Sequence, residues 1–78
     1  MDGNYKSYLI SLGEVIREYA KEAKRNKDLA IGTEREQLAT GYLSGFHRIV
    51  TLMQQQAEIY DISLKEISLD KLDETDLI

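Results

Sequence analysis

Residues 33–60 read TEREQLATGYLSGFHRIVTLMQQQAEIY, and the periodicity of this stretch sets the fold. Thr33 and Glu36 have the spacing of a capping box, in which the hydroxyl accepts from the Glu36 amide and the carboxylate reaches back to the Thr33 amide. Acids at positions 34 and 36 also suit the positive end of a helix. From there apolar residues recur at intervals of three and four. One seam runs through Ala39, Leu43, Phe46, Val50, Met53, Ala57 and Tyr60. A second, adjacent seam runs through Leu38, Tyr42, Gly45, Ile49, Leu52, Gln56 and Ile59. Thr40, Ser44, His47, Thr51, Gln54, Glu58 and Asp61 make a polar seam on the far side. An ordinary surface helix carries an apolar stripe about 100° wide. Here the two seams cover about half the circumference, so the helix requires neighbours on two sides. At 1.5 Å per residue it would be about 40 Å long, which is long for a chain of 78 residues.

Upstream, Tyr5, Leu9, Leu12, Ile16, Tyr19 and Ala23 recur at 4-3-4-3-4, with Tyr8 and Val15 widening the stripe. This predicts a first helix over about residues 4–28, capped by Asp2 or Asn4. Its outer face pairs Glu14 with Arg17, Glu18 with Lys21 and Glu22 with Arg25. The second helix spans about residues 33–60. The connection around Asn26 to Gly32 is short, so the helices are antiparallel neighbours and form a hairpin. Beyond Tyr60 the period breaks. Ser63 and Glu66 form a second capping-box pattern, which predicts a helical turn over about residues 64–69. Ile62, Leu64, Ile67, Leu69 and Leu72 are expected to fold back against the end of the hairpin, followed by an acidic C-terminal tail at residues 70–78.

A monomeric hairpin leaves one seam of the second helix in water. Exposing Leu38, Tyr42, Ile49, Leu52 and Ile59 forgoes up to about 1.5–3 kcal/mol each. Together that is comparable with the stability of a typical domain. Some 18 residues of tail are too few to cover such a seam and also fold back. The expected assembly is therefore a homodimer, two hairpins packed through their second helices into an all-α antiparallel four-helix bundle with a two-fold axis.

Composition narrows the function. The chain has no cysteine, which removes thiolate metal sites and disulfides. It has no apolar run of membrane-spanning length and no signal-peptide pattern at its start, so a cytoplasmic, non-membrane location is expected. The net charge of −4 resides in residues 61–78, where Lys65 and Lys71 face Asp61, Glu66, Asp70, Asp73, Glu74 and Asp76. An acidic balance speaks against nucleic acid as a general partner.

No nucleophile–base pair or metal-ligand cluster can be assembled from one chain, so no enzyme activity, cofactor or metal is expected. His47 is the lone histidine and lies on the polar seam. With Arg48 and Gln55 it marks a surface open to a partner. Gln56 is a polar residue on an apolar seam, suited to fixing register across a dimer. Gly45 lies on the same seam, where its cost to the helix suits close packing, while Gly41 lies on the polar side. Leu38, Tyr42, Gly45, Phe46, Ile49, Leu52, Met53, Gln56 and Ile59 form the expected core and dimer surface. Arg17, Lys21, Lys24, Arg25, Lys27 and Arg35 give the hairpin a basic end, for which the acidic tail is an internal candidate partner. The expected function is a small non-enzymatic protein acting in protein–protein interaction or regulation. The alternative is a nucleic-acid-associated regulator using that basic end.

Overall fold

A computed structural model describes residues 3–78. Two long helices, α1 (Gly3–Ala30) and α2 (Glu36–Ile59), form a hairpin, followed by 3-10 turns at Leu64–Ile67 and Glu74–Asp76. The described residues contain no strand. The particle measures 47 × 21 × 16 Å with a radius of gyration of 13.9 Å, against about 11.5 Å for a compact chain of this length.

The α1 boundaries lie close to those expected. The helix starts at Gly3, so Asn4 lies within it, and Asp2 is outside the described residues. The start of α2 differs. The Thr33 hydroxyl donates to the Ala30 carbonyl at 2.6 Å, and Glu36 reaches the Gly32 amide at 3.4 Å. Thr33 and Glu36 therefore close the connecting turn instead of capping the helix. α2 begins three residues late, behind Arg35, without a side-chain cap. Gly32 adopts φ +82°, the left-handed conformation that lets the chain leave α1.

α2 turns its first seam inward. Leu43, Val50 and Ala57 are buried, with Phe46 and Met53 half-buried beside them. α1 meets it with small residues. Its buried positions are Gly13, Ala20, Ala23 and Ala30, with Leu9 and Ile16 packed at the margin. The ladder read from the sequence is thus split. Leu9, Ile16 and Ala23 face the core, while Tyr5 and Tyr19 are exposed. The face of α1 that packs is the one with small side chains, because two neighbours must approach it, not one.

The second neighbour is the C-terminal segment. Asp61 turns the chain at φ 55°, and the Ile62 amide closes on Ala57 O at 2.8 Å. Residues 62–78 then run back along the hairpin, from Gly13, which touches the Ile67 carbonyl, to Lys27, whose ammonium donates to the Ile78 carbonyl. That span of α1 is about 20 Å. Ile67, Leu69, Leu72 and Leu77 are buried in one cluster with Ala20, Val50 and Ala57. The segment turns at Leu64–Ile67 and packs back on the hairpin, and residues 70–78, expected as an acidic tail, continue along it to Lys27. Leucines at irregular spacing face inward while Asp70, Lys71, Asp73 and Glu74 stay exposed, so the segment forms a third layer.

Gly13 is the tightest point. A Cβ there would lie 1.7 Å from the Ile67 carbonyl oxygen, whereas one at Gly41 would meet nothing within 4 Å. Gly13→Ala should therefore lower stability by about 2 kcal/mol through backbone displacement. Gly41→Ala should raise it by about 0.5–1 kcal/mol by lowering the entropy of the unfolded chain. Urea unfolding of the two variants checks this, and equal effects would refute the close approach.

Candidate functional site

The two sides of the hairpin differ in kind. On one, the C-terminal segment is fastened over the helices. Gln54 donates through its Nε2 to Leu69 O at 3.1 Å and Leu72 O at 2.9 Å. An amide NH₂ carries two hydrogens, so a single side chain satisfies both carbonyls of a segment that has no regular ladder of its own. His47 Nε2 lies 3.9 Å from Glu74 Oε1 on the same side. Asp73 closes the last turn, accepting from the Thr75 amide at 2.9 Å and from the Thr75 hydroxyl, while its own amide donates to Asp76 at 3.0 Å. The Thr75 hydroxyl is the main influence holding the Asp73 carboxyl below its ordinary value of 3.8, with the Thr75 and Asp76 amides adding to it.

The opposite side is open. It carries the second seam of α2, with Leu38 77%, Ile59 69%, Leu52 50% and Ile49 48% exposed. Tyr42 is exposed among them, its ring edge-on to Phe46 with centroids 5.3 Å apart. α1 contributes exposed Tyr8, Val15, Tyr19 and Leu29. Helical spacing puts Tyr8, Val15 and Tyr19 on one stripe of α1. Shared grooves show that this stripe lies beside the α2 seam. Tyr19, Glu22, Ala23, Asn26 and Tyr42 line one, and Leu29, Leu38 and Tyr42 are among those lining another. The result is an apolar strip along the length of the hairpin, far broader than singly scattered surface residues.

The residues expected to matter thus divide by position. Leu38, Tyr42, Gly45, Ile49, Leu52, Gln56 and Ile59 all lie on the open side, and Phe46 and Met53 pack toward the core. Gln56 is exposed on that side. Arg48 and Gln55 are exposed at its outer edge and share a shallow groove with Gly45, Ile49 and Leu52. His47 lines the far edge of the same groove, and its Nε2 lies 3.9 Å from Glu74 of the C-terminal segment. A Cβ at Gly45 would meet nothing within 4 Å.

Of the basic residues, Lys27 reaches the C-terminal segment, while Arg35 precedes α2 and lines a groove with Leu29, Leu38 and Tyr42 on the open side. Lys24 pairs with Asp28 at 3.5 Å, and Arg17 Nε lies 3.5 Å from Glu18. Lys27 donates to the main-chain oxygen of Ile78, not to an Asp or Glu side chain of the segment. Gln54, the residue that fastens the segment, carried no distinguishing signal. It sits in a run of three glutamines, and only its alignment with His47 on one helical side hints that it faces a neighbour.

Among the described residues, no group of three or more His, Cys, Asp or Glu side chains is arranged to hold a metal ion. No helix among them is long and apolar enough to cross a membrane. Comparison with protein-family models, with curated proteins and with solved structures finds no match for this chain.

Three measurements check the fastened side. Gln54→Met keeps the bulk and removes both donors, and should lower stability by about 1–3 kcal/mol by stranding the two carbonyls. Amide exchange in residues 69–77 should then accelerate ahead of the helices, and unchanged exchange would refute the role given to Gln54. Because the carboxyl of Asp73 is held below 3.8 in the folded chain, its contribution to the last turn is present above the unfolded value. It is lost as pH falls through the lower folded value. The Thr75 amide shift should titrate below 3.8, and a midpoint at or above it would contradict the hydrogen bonding described.

Proposed function

We propose that this protein is a non-enzymatic helical module that works as a homodimer, with two hairpins joined through their open sides into a four-helix bundle. In this reading the dimer is the functional unit, and its outward surfaces engage other proteins in an interaction or regulatory role.

One observation carries the reading. The chain closes one side of the hairpin with its own C-terminal segment and leaves the other, an apolar one, without cover. A compact monomer of 9.0 kDa exposes about 4,850 Å², whereas this chain exposes 5902 Å². Removing the excess from two copies would bury about 2,000 Å², the range of stable homodimers. A second copy is the occupant favoured by the strip itself, which is as long as the hairpin and straight along it. An identical strip matches it in length and character. The contacts of Lys24, Lys27 and Arg17 within the chain support protein rather than nucleic acid as the partner.

Light scattering after size exclusion across a hundredfold range of concentration tests this. The expected mass is twice 9.0 kDa, with dissociation only at the dilute end. Ile49→Glu puts a charge in the middle of the strip and should raise the dissociation constant at least about a hundredfold, with the helical circular dichroism unchanged. A wild-type chain that stays monomeric throughout would overturn the homodimer and leave the strip to a different protein.

A further inference from the structure

We propose that the two copies meet with α1 of one lying on α2 of the other, and that Arg48 and Glu18 enforce this choice. The proposal rests on the homodimer reading and specifies how its two surfaces are matched.

Two closed arrangements put the open sides together. A two-fold axis running across the helices lays α2 on α2 and α1 on α1, each pair antiparallel. An axis running along the helices lays α1 of one copy on α2 of the other, twice. Both cover the same apolar side chains, so burial does not choose between them. The charges at the edges do.

Helical spacing makes Arg48 the one charged side chain that α2 brings to the outer edge of the open side, among the described residues. On α1 the corresponding edge carries Glu18 and Glu22, both exposed. Their levels match. Tyr42 shares a groove with Tyr19 through Asn26. Arg48 is six residues further along α2, about 9 Å, which brings it level with Ile16 to Glu18 on the antiparallel α1. Both positions are also central, since the middle of Glu36–Ile59 falls at residues 47–48 and that of Gly3–Ala30 at residues 16–17.

Central position makes the two arrangements electrostatically opposite. With the axis across the helices, Arg48 faces Arg48 and Glu18 faces Glu18. With the axis along them, each Arg48 faces the Glu18 of the second copy. Like charges held together oppose association and opposite charges favour it, and symmetry doubles either effect. Glu18 can serve two cations. One oxygen lies 3.5 Å from Arg17 Nε, yet 65% of its side chain remains in solvent. The second arrangement also brings Tyr19 level with Gly45 of the other copy. There no side chain occupies the surface, so the ring has a notch to enter.

The chain lacks cysteine, so introduced thiols report on this geometry without background. E18C and R48C are made separately, mixed in equal amounts and oxidised mildly. The expected product is a covalent dimer containing one chain of each kind, with little from either variant alone. Efficient R48C–R48C and E18C–E18C products, without the mixed one, would overturn the proposal and favour the crossed axis while leaving the homodimer intact. Monomeric mass for the wild-type chain in light scattering would remove the dimer and the proposal together. A second measurement avoids disulfides. R48E should weaken the dimer about tenfold at low salt, and R48E/E18R should recover most of the loss. Equal weakening by both variants would overturn the pairing.

Discussion

The contact between Gly13 and the Ile67 carbonyl is the constraint on which the other packing depends. It brings the backbone of the C-terminal segment against the backbone of α1 with no side chain between them. Only at that separation can Leu69, Leu72 and Leu77 reach the same cluster as Ala20, Val50 and Ala57. Any larger residue at position 13 holds the segment away from the helices. The small residues along this face of α1 have a shared reason. They accept α2 and a strap of irregular chain at once, and a large side chain would serve one neighbour by excluding the other.

Satisfying polar groups is the second requirement of such a strap. A segment with two short 3-10 turns and no ladder pairs only some of its carbonyls with its own backbone and leaves others to side chains. Gln54 answers two of them from the facing helix, and Asp73, Thr75 and Asp76 satisfy one another at the end. The polar seam of α2 is therefore not simply a solvated back. Part of it is the bed on which the segment lies, and this is why the uncovered apolar side is the one away from Gln54 and His47.

The helices and their antiparallel pairing were legible because period is a long signal, repeated over many residues. So was the surplus of apolar surface on α2, since two adjacent seams exceed what one partner can cover. The course of residues 62–78 was not legible. Its leucines follow neither a period of two nor one of 3.6, so no template distinguishes a covering strap from a loose end. Gly13 was silent for a related reason. Within a helix a glycine reads as a local cost, and its benefit lies in a contact with a residue far along the chain. Thr33 misled because a hydroxyl three residues before an acid suits a helix start and a turn equally. The Ala30 carbonyl, freed by the end of α1, claimed it first. The open side was visible as a seam, but its partner stripe on α1 was not separated from the core ladder. That ladder combined residues pointing in two directions.

The layered order of the fold has a consequence for its birth. Translation proceeds from the N-terminus, so both helices are synthesised before residues 62–78. Until residues 62–78 dock, the bed around Gly13 and Ala20 is as bare as the strip along Ile49 and Leu52. Residues 62–78, made after both helices, turn the hairpin into a particle with a single uncovered apolar side.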